Sequence, residues 1–585
     1  MRKTKIVVTI GPASNDIKTI KKMMKAGMNA ARFNFSHFNY DTDVELVKKV
    51  KAARKAVGIP VPLILDTKGP EIRTKTLEGG KIYLEQGAKF TLTTEDIVGD
   101  QHRVAVTYEH LPRNLKVGSR VLIDDGLIEM EVESINGAEI NCVLINSGFL
   151  GNKKGINVPD VFVDLPSLTE KDISDIKFGI EAGFDFVAAS FVRTAADIVN
   201  IRKVLEDNGG QHMHIIAKIE SRDGVDNLDS ILEVADGIMV ARGDLGVEIP
   251  PEEVPIVQKD MIRKCNMVGK PVITATHMLE SMCANPRPTR AEANDVSNAI
   301  FDGSDIVMLS GETANGKYPV EAVAMMDRIA RKAEGNIDYS STHAAYYRNL
   351  NRNITNAISL AAVATADDMD AACIVSITDS GFASRMVSRS RPACPILAIT
   401  QDPVVYRQLS LSWGCVPMLA EKPFEGDEEV FDMAEEMALK SGVAQNGDVI
   451  VALAGIPVGL AGTTNTMRVR SLGNVLAKGV GNKHGAVKGI ARVLSSANVN
   501  DRKFFEKGDI IICTTTDDTM LEQLKKAGAL VIGSWEKLDH SHAQTVVKAL
   551  DIPLLQVDVR AVDFVKTGMA ITVDTHEGLL INGYK

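Results

Sequence analysis

Eight short runs of apolar and β-branched residues recur along the first part of the chain: 5-KIVVTIG-11, 30-AARFNFS-36, 61-VPLILDT-67, 184-FDFVAAS-190, 214-HIIAKIE-220, 237-GIMVARGD-244, 271-PVITATH-277 and 305-DIVMLSGE-312. Their nearly unbroken apolar character is that of parallel strands covered on both faces by helices, not the alternation of a half-exposed sheet. Between them, 16-DIKTIKKMMKAG-27 and 43-DVELVKKVKAARKAVG-58 carry apolar residues at helical spacing and stop at Gly. Eight strand–helix units predict an α/β fold closed as a (β/α)8 TIM barrel, with an open doubly wound sheet as the other arrangement.

One connection is far too long for a βα loop. Between Thr67 and Phe184, residues 70–166 contain 82-IYLEQGAKFTLTTED-96, 118-GSRVLIDDGLIEMEVESI-135 and 140-INCVLINSGFL-150, which alternate and turn like a small β domain inserted after the third strand. Such an insertion predicts a lid over the barrel mouth. The barrel thus spans 1–69 and 167–339. From about 340 the pattern changes: 373-CIVSITDSG-381, 396-ILAIT-400, 414-GCVPML-419, 447-GDVIVALAG-455 and 466-TMRVR-470 predict an α/β domain over 340–473. Gly-turned short strands from 474 to 585 predict one further module.

Composition narrows the function classes. With 45% apolar and 24% charged residues, the chain reads as ordered and globular. A formal charge of −10 gives no support for broad contact with nucleic acid or anionic membrane, though it leaves room for a local basic pocket. The longest apolar stretch, 449-VIVALAGIPVGLAG-462, is too short for a membrane span, and Gly11 and Pro12 interrupt the apolar start, so the expected location is cytoplasmic. Seven cysteines without a CxxC suggest neither a disulfide framework nor a zinc site.

Polar residues gather at one end of the predicted strands, where a closed barrel would bring them to a common mouth. Glu220 and Asp244 are hard oxygen ligands suited to Mg2+ or Mn2+; the competing reading is an ion pair with Lys218 and Arg242. Lys218 shares a strand face with Glu220, so a phosphoryl group and its metal could be held together. Asn34, Ser36, Asp66 and Thr67 carry one formal negative charge among them, a weak-field cage for a monovalent cation, or simply partners for backbone groups. Arg32, Arg73, Arg242 and Lys154 supply local positive charge. Gly243 permits close backbone approach, so an anion such as a carboxylate could be received there, with Thr276 placed to position or relay a proton.

The runs 8-VTIGPAS-14, 32-RFNFSH-37, 65-LDTKGPEIRT-74, 153-KKGINVP-159, 217-AKIE-220, 240-VARGDLGVE-248, 274-TATHMLESM-282, 285-NPRPTRAEANDVSNAIFDGSD-305 and 308-MLSGETANGKYP-319 together resemble the pyruvate kinase family. That resemblance implies transfer of the phosphoryl group of phosphoenolpyruvate to ADP, giving pyruvate and ATP. It implies divalent metal on Glu220 and Asp244, and K+ on Asn34, Ser36, Asp66 and Thr67. Arg32 would clamp the transferring phosphate and Lys218 stabilise its charge, while Asn34, His37, Arg73 and Lys154 would serve the nucleotide. Ala241, Gly243, Asp244 and Thr276 would receive the substrate carboxylate, and Thr276 with water would protonate the enolate. Glu71 in the GPEIRT run goes with K+ dependence, and His277 departs from the family's usual Gln.

The resemblance further implies a homotetramer and an effector site in the α/β domain, at Thr378, Ser380 and Ser384 of 378-TDSGFAS-384. The loop 455-GIPVGLAGTT-464 has no basic or aromatic side chain, which favours AMP or a sugar monophosphate over fructose bisphosphate. The tail resembles the mobile phosphoenolpyruvate-utilising domain of dikinases: 541-SHAQTVVKALDIP-553 puts His542 in the place of their phosphorylated histidine. The usual preceding GG-x-T is absent from 536-EKLDHSH-542, which favours a structural or assembly role. Two other classes remain in view: a barrel enzyme acting on pyruvate enolate, such as an aldolase or dikinase, and a non-catalytic regulator, which would be expected to have lost Lys218, Glu220 or Asp244.

Overall fold

Eight parallel strands close on one another in chain order: Lys5–Thr9, Ala30–Asn34, Leu63–Asp66, Phe186–Ala189, His214–Ile219, Gly237–Ala241, Val272–Ala275 and Ile306–Leu309. The closing pair sets Lys5 against Ile306 and Val8 against Leu309, so the open doubly wound sheet is not what forms. This computed structural model describes residues 1–339, 353–422, 426–457, 464–482, 485–494, 501–536 and 541–583.

The unbroken apolar runs have the predicted cause. Val7, Ile64, Ile216, Met239, Ile273 and Ile306 fill the barrel interior, while their neighbours Ile6, Val8, Leu63 and Leu65 pack outward under the helices. Side chains alternate across a strand, so a strand covered on both faces must be apolar at every position. The helix Ile17–Ala26 is started by Asp16, whose carboxylate accepts from the Lys18 and Thr19 amides, and Tyr40–Val57 is stopped by left-handed Gly58 (φ 77°).

The barrel floor has an unpredicted component. Residues 402–417, which follow the strand Ile396–Thr400 and run into the first residues of Cys415–Leu419, belong to the barrel unit, Met1–Leu350 with Asp402–Pro417. Leu411 inserts among the inward residues of the strands. Arg407 Nε reaches Asp185 Oδ1 at 2.7 Å, the Gly414 amide donates to Lys3 O at 3.0 Å, and Lys5 Nζ donates to Cys415 O at 2.6 Å.

The insertion forms a seven-stranded sheet, and its outermost strands, Ile72–Arg73 and Arg103–Ala105, are joined at their ends. The Thr107 amide donates to Arg73 O at 2.9 Å and the Lys75 amide to Ala105 O at 2.7 Å, closing a small β-barrel around Phe90, Leu92, Val104, Val121 and Ile140.

Among its described residues the second unit, Asn351–Gln401 with Met418–Lys585, contains two sheets. In the five-stranded sheet, Cys373–Ile377 lies between Ile396–Thr400 and Val449–Ala454, parallel to both, and Thr466–Ser471 is antiparallel at one edge. The last sheet is a closed barrel of seven strands from Val475–Gly481 to Leu579–Asn582, with parallel pairing through Ile510–Cys513 and Ala529–Gly533.

Candidate active site

The polar strand ends converge as the eight-strand pattern predicts. Arg32, Asn34, Ser36, His37, Asp66, Arg73, Lys154, Lys218, Glu220 and Asp244 all line one cavity of about 780 Å3 between the barrel mouth and the insertion. Thr67, Ala241, Gly243 and Thr276 are not part of its wall.

Asp66 organises the centre. Its Oδ2 takes Arg32 Nε at 2.6 Å and its Oδ1 lies 3.1 Å from Lys218 Nζ. Lys218 also donates to Ser190 Oγ at 2.7 Å and reaches Glu220 Oε1 at 2.9 Å, as expected for residues two apart on one strand face. Burial would push the Asp66 carboxyl up, but Arg32 and Lys218 outweigh it and hold it below its ordinary value. Burial would likewise pull the Lys218 ammonium down; Asp66 and Glu220 prevail and hold it above its ordinary value. Lys218 therefore stays a cation inside the wall.

Glu220 is pushed up to about 7, chiefly by burial, with Asp244 adding like-charge repulsion against the pull of Lys218. The Phe191 amide donates to Glu220 Oε2 at 2.6 Å. Asp244 is exposed, and among the described residues its carboxylate has no hydrogen bond or salt bridge. Two carboxylates that repel one another, one of them without a partner, fit a cation between them. Among the described residues no group of three or more His, Cys, Asp and Glu side chains is placed to hold a metal, so the remaining ligands of such an ion would be substrate and water oxygens.

The run 237-GIMVARGDLG-246 departs from expectation in one respect: the strand ends at Ala241, and Arg242 opens the helix Arg242–Glu248 directly. Arg242 pairs neither with Asp244 nor with Glu220. Its guanidinium turns to Asp295 Oδ1 at 2.7 Å and to the carbonyls of Ala275 and Thr276 at 3.0 and 2.6 Å, so it anchors the helix start. Thr276 is held in the left-handed region (φ 70°), a costly conformation for a β-branched residue, and a Cβ at Gly243 would lie 2.9 Å from its Cγ2. Glycine is therefore required where the helix passes the seventh strand end. His277 is also left-handed (φ 56°) and exposed.

The weak-field group is only partly gathered. Asn34 and Ser36 face the cavity, with the Ser36 amide donating to Asn34 Oδ1 at 3.1 Å, whereas Thr67 is buried and its hydroxyl takes the Ser190 amide at 3.1 Å. On the insertion side the cations are partnered: Arg73 pairs with Glu71 and donates to Lys153 O at 2.7 Å, and Lys154 Nζ meets Asp124 Oδ1 at 2.8 Å. Ser190 and Thr9 were missed from sequence. Ser190 links Lys218 to the Thr67 carbonyl, and Thr9 Oγ1 takes Arg32 Nη1 at 3.0 Å. Ser190 ends the predicted run 184–190, so the strand-end rule that found its neighbours applies to it as well; Thr9 lies inside the predicted run 5–11 and ends only the observed strand Lys5–Thr9.

In the second unit, Thr378 and Ser384 are buried, Ser384 donating to Ser376 Oγ at 3.0 Å, and Ser380 is exposed just before Gly381, which starts the helix Phe382–Arg389. Residues 458–463 of the 455–464 loop lie outside the described residues. His542 opens the helix His542–Leu550, with Nδ1 3.0 Å from Thr516 Oγ1 and Nε2 3.1 Å from Asp518 Oδ1; residues 537–540 before it lie outside the described residues.

Fold and site define a phosphotransferase built on a (β/α)8 barrel. Residues 1–323 match the model of the pyruvate kinase barrel domain, and residues 356–470 that of the pyruvate kinase alpha/beta domain. Pyruvate kinases of Bacillus licheniformis and Geobacillus stearothermophilus are each 46% identical over 100% of this chain and 99% of their own length. That of Clostridium acetobutylicum is 48% identical over 80% of this chain and 99% of its own. A crystal structure of a pyruvate kinase from Cryptosporidium parvum superposes with a TM-score of 0.77 at 40% identity, covering 81% of this chain and 96% of that one. The chain belongs to the pyruvate kinase family, and it transfers the phosphoryl group of phosphoenolpyruvate to ADP, giving pyruvate and ATP.

Proposed function

We propose that the cavity at the barrel mouth carries out this transfer with the residues that the strand ends bring together. The observation that supports this most is the common wall holding Arg32, Lys218, Glu220 and Asp244. Phosphoryl transfer needs no protein nucleophile; it needs fixed positive charge around a migrating phosphoryl group and two aligned oxygens. Arg32, set by Asp66 and Thr9, clamps the phosphate of phosphoenolpyruvate from the barrel side. Lys218 stays protonated and meets the charge that gathers on the transferring group. Glu220 and Asp244 would hold Mg2+ or Mn2+, which when bound neutralises phosphate oxygens and draws charge from the enolate oxygen. Asn34, Ser36, Asp66 and Thr67 would hold K+.

Ala241, Gly243 and Asp244 present backbone to the substrate carboxylate, with Thr276 behind Gly243 for orientation and for the proton that water delivers to the enolate carbon. On the insertion side, Arg73 and Lys154 exchange their partners Glu71 and Asp124 for ADP phosphates, alongside Asn34 and His37. Thr378, Ser380 and Ser384 mark an effector site for AMP or a sugar monophosphate. The enzyme works as a cytoplasmic homotetramer; among the described residues no helix is long and apolar enough to cross a membrane. Residues 340–473 form the regulatory domain and 474–585 a module in which His542, engaged at both ring nitrogens, is structural.

Pyruvate formation from phosphoenolpyruvate and ADP, with Mg2+ and K+ each omitted in turn, tests the reading. Turnover that survives without a divalent cation overturns the Glu220 and Asp244 assignment.

A further inference from the structure

We infer that Asn157 and Glu248 form a latch seating the insertion on the helix that carries Asp244, which makes both of them positioning residues for phosphoryl transfer. The inference rests on the roles proposed above for Asp244 and Lys154.

Asn157 ends the strand Gly155–Asn157, which is wedged between Ile72–Arg73 and Arg120–Ile123 and directly follows Lys154. Its side-chain amide donates to Glu248 Oε1 at 2.6 Å. Glu248 is the last residue of the helix Arg242–Glu248, whose first residue is tied to the barrel by Asp295, Ala275 and Thr276. The helix is thus held at its start by the barrel and at its end by the insertion. Asp244 rides between the two, with no bond of its own to fix its carboxylate among the described residues.

Two further observations mark the contact as a seam rather than a chance bond. A Cβ at Gly126 of the insertion would meet Val247 Cγ1 at 3.9 Å, so the seam continues one residue along the helix. Among the described residues the Asn157 amide is the sole hydrogen-bond donor to the Glu248 carboxylate, which burial, with Asp223 and Asp160, holds above its ordinary value. A half-buried carboxylate without a donor is unfavourable, so Glu248 draws the insertion down onto the helix. One strand then fixes Lys154 on the nucleotide side and, three residues later, the helix of the metal-side carboxylate.

The test uses the full chain in four forms: wild type, Asn157→Asp, Glu248→Gln and the double variant. Asn157→Asp sets carboxylate against carboxylate; Glu248→Gln keeps an acceptor for the amide; the double variant restores a bond with donor and acceptor exchanged. Asn157→Asp is expected to lose roughly tenfold to a hundredfold in kcat/KM for ADP, the scale of a small misplacement of reacting groups. Glu248→Gln should stay within about threefold of wild type, and the double variant should return to that level. Hydrogen exchange of the 242–248 amides, measured without substrate or metal, should quicken in Asn157→Asp and recover in the double variant. Asn157→Ala, with the same exchange readout, serves if Asn157→Asp does not fold. Unchanged kcat/KM and unchanged exchange in Asn157→Asp, or a loss the double variant does not recover, overturns the latch. Should wild type turn over while Lys218→Met does not, such a failure falls on the latch alone and leaves the active-site reading standing.

Discussion

Asp66 Oδ1 lies 3.1 Å from Lys218 Nζ, joining the third and fifth barrel strands at the mouth, while the same carboxylate's Oδ2 holds Arg32 Nε at 2.6 Å. One buried acid thus orients the two cations that face the transferring group. Asp66→Asn leaves both cations buried with too little compensation. It should cost about 3–5 kcal/mol of stability, read as a lowered denaturant midpoint, and turnover should fall with it.

Lys218→Met removes the ammonium while keeping an apolar stem of similar length. Its kcat should drop by at least about a hundredfold, with far-UV circular dichroism unchanged. Wild-type turnover in that variant would refute the role given to Lys218.

Lys5 gives the pH prediction. Burial pulls its ammonium down to about 8, against an ordinary value of 10.5. Between those values the unfolded chain binds more protons than the folded one, so stability rises with pH across that window and is flat below it. Relative to Lys5→Met, wild type should gain up to about 3 kcal/mol from pH 8 to 10.5, measured by urea unfolding at each pH. A constant difference between the two proteins would show that Lys5 does not titrate there.

Leu411→Ala opens a hole in the barrel floor, where Leu411 sits 1% exposed among Val7, Ile64, Ile216 and Ile306. A loss of about 2–5 kcal/mol is expected. A change below about 0.5 kcal/mol would mean that the floor closes without it.

The barrel was legible because its strands are buried on both faces, which leaves a run of apolar residues and a polar end at each of Asn34, Asp66, Lys218 and Thr276. Periodicity could not reveal which polar ends touch, since contacts such as Arg32 with Thr9 depend on barrel closure. Arg242 shows a related limit: sequence offers an ion pair for it but does not say with which acid. Two residues before Asp244 in sequence, it has that acid as the nearest candidate, but the abrupt strand-to-helix turn sends the two side chains apart and Asp295 takes the guanidinium. Residues 402–417 gave no barrel signal, because a floor supplied from a distant stretch has neither strand nor helix period of its own. The link from Asn157 to Glu248 was invisible for the simplest reason: 91 residues separate its ends.

That distant floor has a consequence for synthesis. Because Leu411 follows the eighth barrel strand by about a hundred residues, a nascent chain emerging at roughly 5–20 residues per second has all eight staves in place seconds before their plug arrives. Until then the lower rim remains wet and sticky, and any chain truncated before residue 402 keeps it that way.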